Sequence, residues 1–207
     1  MNKIYRLIIF LSFVVVGCSP SVIEENKAIQ KIESLDMNIF SKKGDKIYSI
    51  TSPNSSYNNS ELEFELKKPI INIFEGEETK YIISSEESTL SDNNKLLNLE
   101  GNVKLKTLKQ DEDILYADTF IWNIETTNYL LEGNIIFENQ NIILNSSKAK
   151  LNSDNIIEFF NPVEYIIKDE NNDYKYEVNS ESAYYNLDTE SLSFKAKDKR
   201  VKSIIYF

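Results

Sequence analysis

The phrase LEGNVKL at residues 99–105 returns as LEGNIIF at residues 131–137. Both copies set a glycine inside a run that otherwise reads as strand, in a chain with only five glycines. Glycine weakens a strand interior, so at such a place it marks a bulge, a sharp bend or a close backbone approach. The repeat is longer than the phrase. Residues 83–105 and 115–137 align without a gap, 144–166 follow the same plan with a shortened turn, 178–196 form a fourth copy and 48–74 a degenerate first. Units repeated at this spacing cannot bury an apolar face alone and rely on their neighbours to cover it.

Within each unit a strand ends in a small residue (Ser85, Ala117, Ser146, Ser180) and a bulky residue follows at a bend (Leu90, Trp122, Leu151, Tyr185). After a polar turn, a second strand runs through Gly101, Gly133 or Asn161-Pro162. The strands show period two: Leu62, Phe64 and Leu66 alternate with Glu61, Glu63 and Glu65, and Val103 and Leu105 with Lys104 and Lys106. That alternation is the signature of a half-buried strand. Gly76 and Asn93-Asn94 sit at turns. Beyond residue 36 nothing keeps a helical period, so the expected class is all-β, a row of serial β-hairpins. Bends at Gly101, Gly133 and Pro162 would curl the sheet, with Leu99, Val103 and Leu105 on its concave side; the alternative is that the glycines are ordinary turn residues.

Composition narrows the function. Hydrophobic residues make up 41% of the 207 residues and aromatics 12%, enough for a sizeable core. The net charge of −10 argues against a nucleic-acid partner and against adhesion to an anionic membrane surface. There is no histidine and one cysteine, Cys18, which excludes internal disulfides and Ser-His-Asp or Cys-His catalysis and removes the commonest zinc ligands. Carboxylate chemistry needs two acids at a set separation, and Glu61, Glu63 and Glu65 instead alternate outward as a solvated face. No enzyme activity, cofactor or metal is expected.

The first residues read as an export address. Lys3 and Arg6 precede the apolar run LIIFLSFVVVG, which ends at Cys18. Residues 1–18 thus form a signal peptide with a lipobox-like end and Cys18 as the lipidation site. The rivals are an uncleaved anchor helix, whose uncharged run falls short of the ~20 apolar residues that span a bilayer, and simple secretion. Residues 19–44 read as a polar tether, weakly helical over 21–35, and residues 45–207 as the folded domain.

The L-x-G-N-V phrase (Leu99-Glu100-Gly101-Asn102-Val103 and Leu131-Glu132-Gly133-Asn134-Ile135), the Ala117…Trp122-Asn123 phrase and the N-terminal address together resemble the LptC family of lipopolysaccharide export, with its OstA-like, LptA-like fold. The resemblance covers about residues 45–200. It implies a V-shaped antiparallel β-jellyroll whose apolar groove holds the acyl chains of lipopolysaccharide. It further implies a tether on the periplasmic side of the cell envelope, at the inner membrane, and partners met by strand-edge pairing: an LptA-like bridge protein and an LptB/LptF/LptG-type ABC transporter. A family member usually carries a transmembrane helix; a lipobox stands in its place here. Candidate groove residues are Phe64, Leu66, Ile71, Ile73, Leu99, Val103, Leu105, Trp122, Leu131, Ile135, Phe137, Val163 and Tyr165. The apolar end of the chain, with Val201, Ile204, Ile205 and Phe207, is the candidate partner edge. A different class of function stays open: a structural or binding envelope β-lipoprotein with a closed core that engages protein or glycan.

Overall fold

Inward-facing residues meet a corner at the same height in passage after passage: Ala117 and Phe120, or Ser180 and Ala183, lie three apart across it, whereas Leu99 and Val103, Leu131 and Ile135, or Phe159 and Val163 lie four apart. The computed structural model describes residues 29–108, 113–139, 142–168, 174–197 and 200–206. They form a single antiparallel sheet of fourteen strands: β1 Ile29–Phe40, β2 Lys46–Asn58, β3 Glu63–Lys67, β4 Ile70–Glu75, β5 Glu78–Ser84, β6 Glu87–Ser91, β7 Leu96–Thr107, β8 Ile114–Asn123, β9 Asn128–Asn139, β10 Ile142–Leu151, β11 Ile156–Lys168, β12 Tyr174–Asn186, β13 Ser191–Lys195 and β14 Lys202–Ile205.

The topology is a meander. β3 and β4 form one passage broken at Lys68-Pro69, because β2 pairs with both. β5 and β6 form the next, broken at Ser85-Glu86, and β7 pairs with both. At the far edge β13 pairs with one half of β12 and β14 with the other. Every passage therefore has two halves; the register runs unshifted across the corner as far as the β5/β6 passage and jumps there in each pairing from β7 onward. Glu100 pairs with Thr119 and Val103 with Ala117, so two residues of β7 oppose one of β8; Glu132 and Thr119 repeat this in β9 and β8. Pro162 lies in the corresponding jump of β11, between Phe160 and Val163.

Two chemistries alternate along this corner. In one set of passages the chain turns through positive φ: 58° at Ser34, 48° at Lys68, 75° and 47° at Gly101 and Asn102, 73° and 41° at Gly133 and Asn134, and 46° at Asn161. In the other set a serine hydroxyl satisfies a carbonyl that the bulge strips of its ladder partner. Ser52 donates to Asn54 O at 2.8 Å, Ser85 to Glu87 O at 2.8 Å, Ser146 to Lys148 O at 2.8 Å and Ser180 to Ser182 O at 3.0 Å. Ala117 holds the same place in β8 without a hydroxyl.

A carboxylate from the preceding passage covers each glycine. Glu86 lies over Gly101, and Asp118 over Gly133. Each accepts a hydrogen bond from the asparagine that follows the glycine: Asn102 Nδ2 to Glu86, and Asn134 Nδ2 to Asp118 at 2.8 Å. The corner folds the sheet on itself. Tyr48 in β2 and Trp122 in β8 are four passages apart, roughly 19 Å across a flat sheet, yet their ring centroids are 5.2 Å apart.

Three local expectations are corrected. Residues 29–40, assigned to a polar and weakly helical tether, are strand β1, paired with β2 over its length. The corner at Ser34, with φ 58°, explains the helical look: it sets half-buried Ile32 and Leu35 three apart. Leu62, expected inward, sits in a turn with φ 54° and is half exposed. The bulky residues Leu90, Trp122, Leu151 and Tyr185 lie at strand ends facing inward, and the small residues before them mark the bend.

Substituting Gly133 with alanine is expected to cost about 1–3 kcal/mol, because positive φ and contact with the Asp118 carboxylate add. The same change at Gly44, where φ is +93° and no atom lies within 4 Å of a Cβ, is expected to cost about 1 kcal/mol. Denaturant melts of the two variants check the order, and equal losses would remove the carboxylate from the corner's energetics.

Candidate functional site

Folding at the corner gives two arms that face each other. One arm holds β4, β5, β14 and the halves of the long strands carrying Tyr48, Leu105, Leu115, Phe137, Val163 and Val178. The other holds β3, β6, β13 and the halves carrying Leu97, Trp122, Tyr129, Leu151, Phe159 and Tyr185. Of the thirteen candidate groove residues, Ile71, Ile73, Val103, Leu105, Ile135, Phe137, Val163 and Tyr165 lie on the first arm. Phe64, Leu66, Leu99, Trp122 and Leu131 lie on the second. Twelve are buried, Tyr165 the least at 7% exposure, and Phe64 is half-buried beside Tyr57 at 4.5 Å between centroids.

The structure brings all thirteen into one apolar interior. Aromatic rings fill the space between the arms. Phe137 meets Tyr185 at 4.7 Å and Phe159 at 5.8 Å, Tyr165 meets Phe194 at 5.3 Å, and Tyr81 meets Tyr129 at 6.3 Å. Trp122 stacks on Tyr129 at 5.5 Å, and its buried Nε1–H has no hydrogen-bond acceptor. The arms thus touch, and the interior is a packed seam.

Opposite the corner, polar side chains close the lips. Tyr48 OH donates to Asn94 O at 3.2 Å, and Tyr81 OH to Asn155 Oδ1 at 3.3 Å. Asn139 Nδ2 donates to Tyr185 OH at 3.2 Å and to the Asp113 carboxylate. Sequence reading missed Tyr48, Tyr81, Tyr129 and Tyr185 as interior residues. Its signal was the repeat itself: Tyr185 stands in the fourth copy where Trp122 stands in the second, and the same logic extends inward facing to it.

Burial is complete along the middle of the seam and falls off at both ends. Leu35, Met37, Ile39, Ile47 and Phe64 pack only partly against the core at the β1 end, and Tyr176, Leu192 and Phe194 at the β13 end. Each end carries a strand with one unpaired edge among the described residues, the usual template for adding a strand. Of the candidate edge residues, Val201 precedes β14 and is exposed, Ile204 is half-buried and Ile205 exposed. Phe207 and Cys18 lie outside the described residues. No helix among the described residues is long and apolar enough to cross a membrane, and no group of three described Cys, Asp or Glu side chains could hold a metal ion.

Comparison with known proteins adds three findings. A family model described as "Lipopolysaccharide-assembly, LptC-related" matches residues 8–154. No curated protein matches. Among solved structures, LptH of Pseudomonas aeruginosa, described as the LptA-homologous periplasmic component of the lipopolysaccharide transport device, is 7% identical, with 77% of this chain and 94% of that chain covered and a TM-score of 0.44.

The seam also sets a pH limit. Burial pushes the phenols of Tyr48 and Tyr129 from 10.0 up to about 12, and Tyr81 rises further for the same reason. The folded protein therefore holds these protons more tightly than the unfolded chain. The resulting stabilisation is complete below pH 10 and is lost as pH climbs toward 12. A last fraction of the tyrosinate absorbance is expected to appear only together with loss of the sheet's circular dichroism; complete ionisation of the tyrosines with the sheet intact would contradict the packing.

Proposed function

The chain belongs to the LptC-related lipopolysaccharide-assembly family, and on that premise we propose that the interior between its arms is where it carries the acyl chains of lipopolysaccharide. Membership makes it a non-enzymatic component of lipopolysaccharide transport in the cell envelope. The carrying observation is that thirty-one buried hydrophobic residues form one core running from arm to arm, while opposite the corner the facing lips are held by side chains. Apolar surface withdrawn from water contributes about 25 cal/mol per Å², and an acyl chain between the arms supplies that surface in place of the opposite arm. Handover runs from an ABC transporter to a bridge protein through the strand edges at the two ends. An N-terminal anchor, by lipid on Cys18 or by an uncleaved helix, holds the chain to the membrane.

The packed state of the interior supports a second reading, a closed envelope protein that engages protein or glycan through its surface. Photo-crosslinking in cells separates the two. A benzophenone amino acid at Phe64 or Tyr165, aromatic sites at the two ends of the seam, is expected to capture glycolipid, and one at outward-facing Lys104 is not. Labelling from Lys104 alone would favour the closed protein.

A further inference from the structure

Residues 195–202, KAKDKRVK, carry five lysines and arginines and one aspartate, a local charge of +4. Since the chain totals −10, everything else sums to −14 (−10 less +4). Its described residues, 195–197 and 200–202, flank the place where the meander loses its regular partner. β13 pairs with β12 as far as Ser182 and β14 from Asn179, so no strand lies against the outer side of the β12 corner at Ser180-Glu181. The gap is a recess of about 700 Å³ lined by Lys197, Arg200, Lys202, Ser180, Glu181 and Pro162, among others.

Three of these charges have no ion-pair partner among the described residues. Lys67, Lys80, Lys95 and Lys148 each pair with a glutamate, whereas no described carboxylate pairs with the side chains of Lys197, Arg200 or Lys202. Glu181, the acid in the recess, already accepts the Lys197 backbone N–H at 2.6 Å. Three exposed cations converge on one concavity in an otherwise acidic protein, at the end where half-buried Phe194 and Ile204 mark the fading of the apolar seam. Such a place suits an amphiphile with hydrocarbon inward and an anion beside it. Arg offers a planar fork to phosphate oxygens, and lysines add point charges.

We propose that this recess binds the phosphate of an anionic glycolipid whose acyl chains occupy the interior. The proposal rests on the reading above, and it gives that reading a polarity: the headgroup is held at the β13/β14 end. The negative chain then tolerates an anionic cargo because its repulsion is answered locally at the headgroup.

The test uses the full chain in detergent, with diphosphorylated lipid A, fully dephosphorylated lipid A and inorganic phosphate as probes. Three proteins are compared: wild type, a Lys197→Gln/Arg200→Gln/Lys202→Gln variant, and a charge-matched Lys31→Gln/Lys42→Gln/Lys43→Gln control from the opposite end. The recess variant is expected to bind the diphosphorylated lipid about tenfold more weakly, the effect of a few exposed charge contacts. The dephosphorylated lipid should bind all three alike, and the control should match wild type. Equal loss in the control, or no loss in the recess variant while both lipids bind, overturns the recess and leaves the interior standing. Saturable binding of inorganic phosphate with no preference between the lipids assigns a free-anion site and also overturns it. If neither lipid binds wild type, the interior reading itself fails.

Discussion

Everything in this molecule follows from a corner that the passages of the sheet cross at one height. A straight strand with apolar residues at every second position gives one flat apolar face. Here one passage spends two residues on the corner where its neighbour spends one, as with Gly101-Asn102 against Asp118. Leu99 and Val103, four apart, keep their parity across the extra residue and face the same interior from different arms, whereas Ala117 and Phe120, three apart in β8, change theirs. Had only one passage bent, the ladder would have torn. Because Ser52, Ser85, Ala117, Ser146 and Ser180 recur at one height between positive-φ residues, the whole sheet folds along a line.

That line makes the two sides of the interior unequal. Along the corner the arms are joined by the chain itself and by hydrogen bonds from passage to passage, such as Glu86 N–H to Gly101 O at 2.9 Å. Along the lips they meet through Tyr48, Tyr81 and Asn139 and through ring contacts. Ring contacts are non-directional and can be exchanged for contacts with hydrocarbon at small net cost. Backbone ladders cannot. A body with one permanent edge and one exchangeable edge is suited to receiving a chain-like apolar guest, which is why the packed interior and the transport family are compatible.

The sequence made the repeat, the all-β class and the inward set legible, because period two and a recurring glycine are local signals that neighbours reinforce. What it hid was non-local. Tyr48 and Tyr81 gain their interior places only from the facing arm, which supplies ring partners, together with Asn94 and Asn155 for their hydroxyls. β1 was hidden by its own corner, since the positive φ at Ser34 turns a spacing of two into a spacing of three and imitates a helix. Leu62 kept the alternation but fell on a turn, where Asn58 Oδ1 accepts the Ser60 N–H at 3.1 Å and ends the strand. The splitting of the far passage into β13 and β14 has no hydrophobic signature, only a change of charge.

The meander has a consequence for how such proteins vary. Each passage pairs with its immediate neighbours, and the corners sit at one height, so the middle of the sheet extends by repetition and only its two ends differ. Adding or removing one unit of about 32 residues, the period of this repeat, would alter only the length of the interior. Capacity is thereby uncoupled from fold: a lineage could lengthen or shorten the interior by counting hairpins, with no new core to invent.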